Sequence, residues 1–354
     1  MKGSISKTGK GCERPYVIEM DQNRYIALGE AALVDNARMK FDRADKDSLL
    51  LLTALDGKAV YSSSFSTPWR YVMIADSPGK LLENNYFVLN LNAPNALKDV
   101  SWIKPGKVIR EVTLTTFGGK ACIDFAAKHN LQYIEFDAGW YGTETNSASD
   151  ATAVKLDPAR SPGPLALREV INYGRSKNVG VILYVNQKAL DKQLDAILPL
   201  YQSWGVKGIK YGFVNVGSHV SQMGKTICIY SPWQFIYWYD RPEDFPRQKG
   251  GAGSSASVLA EIPDLTFYDA LPAVWEDTKV LESKIGEYAT IARKCGHKWF
   301  ISTLTDKPHS LNLLLGFLDQ KNKYLVTIYA DDAQSVTPTH IKISKQSVTS
   351  ASKL

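Results

Sequence analysis

Between Tyr16 and Asn92, apolar and polar residues alternate in short runs: YVIEM, RYIAL, WRYVMIA and YFVLNLN, with Asp56-Gly57 and Pro78-Gly79 as turn signals. A period of two marks half-buried strands, so these runs predict antiparallel β structure, one or two layers of a sandwich. The stretch NAPNALKDVSWIKPGK, residues 92–107, breaks the alternation with prolines and asparagines and reads as a linker.

From Val108 the pattern changes. VIREVTL, LQYIEF, VGVILYV and GIKYGFV read as strands; KACIDFAAKH, LALREVINYGRSK and ALDKQLDAILPLYQSWG have helical spacing. Strands alternating with helices predict a parallel sheet with crossover helices, and the unit length suits a (β/α) barrel. The barrel is short, however: about 130 residues run from Val108 to Asp240, against about 250 for eight units. After four strands, SQMGKTICIYSPWQFIYWYD reads as one closing helix. Beyond it KGGAGSSAS is a loop, and KVLESKIGEYATIAR, KWFISTL, LNLLLGFL and YLVTIYADD alternate as strands of a second β region, with a turn at 319–323.

The predicted fold class is therefore multidomain α/β plus β. It comprises a basic tail (1–14), an N-terminal β-sandwich portion (15–91), a linker (92–107), an incomplete (β/α)8 barrel (108–240), a linker loop (241–263), a small C-terminal β-sandwich (264–341) and a tail (342–354).

Composition adds mainly exclusions. With 44% hydrophobic residues the chain reads as globular. No window nears the roughly 18 apolar residues of a membrane span, and the opening MKGSISKTGKG has no secretory h-region. The net charge of +6 is concentrated at the ends, in Lys2, Lys7, Lys10 and Arg14 against Glu13, and in Lys342, Lys345 and Lys353. Solvated ends account for it, so neither nucleic acid nor a membrane is expected as partner. Four scattered cysteines and five scattered histidines show no metal-ligand spacing. The final Ser352-Lys353-Leu354 matches a peroxisomal address.

Functional side chains of a (β/α) barrel sit at the C-terminal ends of its strands. Those ends carry Glu135, Asp137, Trp140 and Tyr141 after the second strand, Asn186 after the third, and Lys210, Tyr211 and Asn215 at the fourth. A carboxylate beside aromatic rings suits a sugar: the acid accepts hydroxyl hydrogen bonds and a ring covers the C–H face. The structural alternative makes Asp137 a helix or turn cap and Trp140 a core residue. Lys210 reads either as a donor to a sugar hydroxyl or as half of an ion pair, and a Schiff-base role would need a lowered pKa that nothing in the sequence indicates.

DVSWIKPGKVIREVTLTT, IEFDAGWYG, DPARSPGPL, GVILYVN, GIKYGFVNVGS and SPWQFIYWYDRPED, in this order, resemble glycoside hydrolase family 97. The resemblance implies an N-terminal β-sandwich, a (β/α)8 catalytic barrel, a C-terminal β domain, calcium at the site, and an α-linked oligosaccharide or hexose as substrate. It also implies export, although no leader is visible. Retaining members carry an Asp nucleophile where Gly212 stands, so K-Y-G resembles the inverting, α-glucosidase-like subgroup, in which one glutamate activates water and another protonates the leaving oxygen. Those glutamates belong to a segment that would fall between Ser218 and Val220, so no catalytic residue is identified and impaired hydrolysis is expected. The alternatives are a non-catalytic sugar-binding or interaction protein and a truncated gene product. Glu30, in ALGEAAL, resembles the glutamate through which the N-terminal domain reaches calcium, with Gly29 where a histidine is usual.

Overall fold

A computed structural model describes residues 12, 14–33, 36–37, 39–44, 50–55, 64–146, 148–210, 233–235, 263, 265–305, 307, 310–332, 334 and 341–354. The chain forms two compact units: residues 1–102 with 276–313, and residues 103–275 with 314–354. The predicted Asp56-Gly57 turn, KGGAGSSAS, Gly212 and Asn215 lie outside the described residues.

In the first unit, β1 (Tyr16–Met20), β2 (Arg24–Ala31) and β5 (Trp69–Ala75) form an antiparallel sheet in the order β1-β2-β5, and β3 (Met39–Arg43) pairs with β4 (Leu51–Leu55). Tyr16, Ile18, Met39 and Phe41 are its core cluster. Two helices follow, α1 (Pro78–Glu83) and α2 (Tyr86–Asn90). Ser77 caps α1, and proline opens its first turn, where a missing N–H costs nothing. The second helix corrects the expectation of a strand in YFVLNLN. Local hydrogen bonds win there: Phe87 N donates to Asn84 O, Val88 N to Asn85 O, and the Asn92 amide to Val88 O at 2.7 Å.

The second unit holds the barrel portion: β6 (Gly106–Glu111), α3 (Thr116–Lys128), β7 (Tyr133–Phe136), α4 (Leu167–Ser176), β8 (Gly180–Tyr184), α5 (Gln187–Trp204), β9 (Gly208–Lys210), β10 (Trp233–Phe235) and α6 (Leu265–Ala270). Thr115 and Asn186 cap α3 and α5, and α5 ends at Gly205, whose φ of 88° lies in the left-handed region. Five strands pair in parallel in the order β10-β6-β7-β8-β9. Trp233–Phe235, expected within a closing helix, is thus a strand beside β6.

Alternation sorts the sheet into two faces. Ile109, Ile134, Phe136, Val181 and Leu183 pack on the helix side with Ile123, Val170, Ile171 and Ile197. Val108, Tyr133 and Ile182 form a separate small cluster on the other face. Helix α3 lies close to the sheet at Gly119, where a Cβ would come within 2.7 Å of the Phe136 ring. On the helix side of β6, buried Lys107 donates to Tyr268 O at 2.7 Å, at the end of α6.

Next come β11 (Asp277–Lys284), β12 (Tyr288–Cys295) and β13 (Lys298–Thr305), an antiparallel sheet belonging to the first unit. Glu83 accepts from Val280 N at 2.8 Å. LNLLLGFL, expected as a strand, contributes only an isolated bridge from Leu314 to Lys353; Leu318 N donates to Leu315 O, and that turn breaks the extended run. The strand β14 (Tyr324–Asp331) pairs with β15 (Ile341–Val348), which lies where a tail was expected. Ile341 and Ile343 of β15 pack against the barrel core, so hydrophobic burial fixes this segment despite its lysines.

Ile341 is 3% exposed. Ile341→Ala is expected to lower unfolding free energy by about 2–5 kcal/mol, whereas Ser347→Ala, on the exposed part of the same strand, changes it by less than about 0.5 kcal/mol. Urea unfolding followed by tryptophan fluorescence checks the pair.

Candidate functional site

The face of the parallel sheet that carries Val108, Tyr133 and Ile182 becomes charged toward the C-terminal strand ends. Continuing the alternation by two residues gives Arg110 on β6, Glu135 on β7 and Tyr184 on β8, and pairing brings Arg110 opposite Glu135 and Tyr184 opposite Lys210. Asp137 follows one alternation beyond Glu135. Its Oδ2 lies 2.9 Å from Arg110 Nη1 and its Oδ1 3.2 Å from Lys210 Nζ. Lys210 Nζ also approaches Glu135 Oε1 at 3.5 Å and sits 5.6 Å from the centre of the Tyr184 ring. Two cations and two acids from three strands thus converge in one buried cluster.

Glu135 is fully buried. Desolvation, followed by the neighbouring Asp137 charge, pushes its pKa up to about 8, against the opposing pull of Lys210 and Arg110. At neutral pH this carboxyl is mostly protonated. Asp137 then takes the role of the anion shared by both cations. Its carboxylate is an ion-pair partner, not the helix cap that was the structural alternative.

The residues from Ala138 to Ala166 form a long loop locked onto the barrel. Trp140 Nε1 donates to Tyr184 O at 2.8 Å, Tyr201 Oη to Ala151 O at 2.7 Å, and Arg160 pairs with Glu144 at 3.0 Å. Gly139 has φ 106°, and a Cβ there would also meet the Arg160 side chain at 2.5 Å. Trp140 is 0% and Tyr141 1% exposed. Their rings pack edge-on with centroids 5.0 Å apart, and Trp140 also meets Tyr201. This corrects the expectation that they line a sugar cleft: burial makes both rings core anchors of the loop, with no face turned to solvent. The Tyr141 hydroxyl accepts from Asn186 N, and burial pushes its pKa up to about 12.

Asn186 is likewise occupied structurally, its Oδ1 capping α5 through Lys188 N at 3.0 Å and its amide donating to Tyr184 Oη at 3.3 Å. Of the expected binding residues, the structure brings together Asp137 and Lys210. It adds Arg110, Glu135 and Tyr184. The signal for Arg110 was present in VIREV, a cation on the same parity as Val108.

Glu30 lies in the first unit, buried and held by Arg14 and Arg70 at 2.9 and 2.8 Å. Calcium, which the resemblance implies, takes six to eight oxygen ligands, whereas the groups at this carboxylate are N–H donors and cations. The residues present do not fit the ion. Among the described residues no group of three or more His, Cys, Asp or Glu side chains could hold a metal.

Three family profiles match in chain order: glycosyl-hydrolase 97 N-terminal over residues 2–94, glycoside hydrolase 97 over 103–233, and glycosyl-hydrolase 97 C-terminal, oligomerisation, over 274–354. The chain belongs to glycoside hydrolase family 97. It is similar to a retaining alpha-galactosidase of Bacteroides thetaiotaomicron, 22% identical over 75% of this chain and 54% of that one. A probable retaining alpha-galactosidase of Streptomyces bingchenggensis is 25% identical over 70% of this chain and 50% of that one. The chain thus spans about half the length of the curated relatives it matches. Its fold matches a family 97 enzyme from Pseudoalteromonas sp. strain K8, solved in complex with acarbose, with a TM-score of 0.77 at 19% identity over 96% of this chain and 72% of that one. A beta-arabinopyranosidase matches with a TM-score of 0.66 at 14% identity over 99% and 71%.

The raised pKa of Glu135 has a signed consequence. Between its unfolded value near 4.5 and its folded value near 8 the native state holds a proton that the unfolded chain releases, so this group's contribution to stability falls as pH rises through that window. Glu135→Gln, neutral at every pH, is expected to flatten the decline and to exceed the wild type at pH 8 by on the order of a few kcal/mol. Chemical denaturation at pH 5 and pH 8 measures the difference; an equal decline in both proteins would refute the assignment.

Proposed function

We propose that this chain is a hexose-binding protein derived from an inverting, α-glucosidase-type glycosidase, with hydrolysis impaired. The reading rests on the position of β10. It pairs with β6, the place taken by the last strand of a closed barrel, yet only about 20 residues separate it from Lys210, where three further βα units of roughly 30 residues each would stand. That spacing supports the reading that a segment of the barrel is absent from the chain, and by the family resemblance it would be the segment that carries the acid and base glutamates. Each such proton transfer contributes about 100- to 10,000-fold to rate.

The inverting lineage is supported by Gly212. A retaining mechanism needs a carboxylate nucleophile, and glycine supplies none, although the two curated relatives are named as retaining alpha-galactosidases. The ligand class is supported by the cluster chemistry. Asp137 accepts and Lys210 and Arg110 donate, the acceptor and donor types that the paired hydroxyls of a neutral sugar engage. The Pseudoalteromonas enzyme has been solved with acarbose and with panose, and we propose an α-linked oligosaccharide or hexose here.

The expected result is no release of nitrophenol from nitrophenyl α-glucoside or α-galactoside above a protein-free blank, with calorimetric heat on titrating maltose that Asp137→Ala removes. Turnover above the blank would overturn the impairment, and a wild type without heat would overturn the binding role.

A further inference from the structure

A carboxylate buried as deeply as that of Glu30 must be neutralised by a proton, a metal or a cationic side chain. Each candidate leaves a different geometry. Oε1 of Glu30 accepts from the Met39 amide at 2.8 Å and pairs with Arg14 Nε at 2.9 Å, while Oε2 pairs with Arg70 Nη1 at 2.8 Å. The neighbouring carbonyl oxygens are occupied too: Met39 O accepts from Arg14 Nη1 at 2.6 Å, and Pro68 O from Arg70 Nη1 at 3.3 Å.

We propose that Arg14 and Arg70 replace the calcium ion at Glu30, so that this acid ligates no divalent cation and the first unit is organised by guanidinium groups instead. An incoming dication would have to displace both, and would find its candidate carbonyl ligands already bonded to the same two side chains. The oxygens of Glu30 and the carbonyls beside it are therefore already engaged by the two arginines. Arg14 lies ahead of β1, Glu30 on β2, Met39 on β3 and Arg70 on β5, so the pairs also fasten four segments of the unit.

The test uses the whole chain in millimolar calcium chloride or in EGTA at matched ionic strength. The midpoint of thermal unfolding is expected to be the same in both, and phenylglyoxal labelling of Arg14 and Arg70, read by mass spectrometry, is expected to be equal. Arg70→Gln lowers the midpoint equally in both solutions. The proposal is overturned by a calcium-dependent rise that Glu30→Gln abolishes, or by calcium-dependent exposure of either arginine to the reagent. A rise that survives in Glu30→Gln places the ion elsewhere and agrees with the proposal. Should Glu30→Gln fail to fold, labelling of the unsubstituted chain decides.

Discussion

Burying charge is permissible only in balance, and the barrel portion of this protein is arranged around that constraint. Arg110, Lys210 and Asp137 cannot leave water singly, because an isolated buried ion costs several kcal/mol. Together they satisfy one another at 2.9 and 3.2 Å. The balance fixes strand register as well. A slip of one residue would turn Arg110 and Glu135 toward the helices and Ile109 and Ile134 away from them. The same parity that buries the hydrophobic layer therefore delivers the polar groups to the opposite face.

Glu135 is the fourth member of the cluster. Burial and the neighbouring Asp137 charge push its pKa up against the pull of Lys210 and Arg110, so Asp137 is the anion on which both cations chiefly rely, and its loss would leave Arg110 and Lys210 facing each other.

Much of this fold was legible in the chain because the barrel elements are strongly periodic. LQYIEF, VGVILYV and the helix ending at Trp204 all form where their spacing put them. The misreadings have two causes. YFVLNLN alternates, but local hydrogen bonds, among them the Asn92 amide to Val88 O, wind it into a helix; the expectation of a tail was overruled by partners distant in sequence. The last residues look like a solvated end because Lys342 and Lys345 dominate them, yet Ile341 and Ile343 carry β15 into the core. That Asp137 and Lys210 come together at one end of the sheet could be read from the strand ends alone. Trp140 and Tyr141 could not be assigned so: an exposed platform and a buried anchor have the same sequence, and the difference lies in contacts with Tyr184 and Tyr201.

The path of the chain between its two units carries a further consequence. Residues 276–313 belong with the N-terminal strands and residues 314–354 with the barrel, so the polypeptide enters each unit twice. Neither unit is complete until the other has been partly synthesised. The barrel core waits for β15, which follows the second pass of the chain through the first unit, and until it is made the apolar surface that Ile341 and Ile343 cover stays open to aggregation.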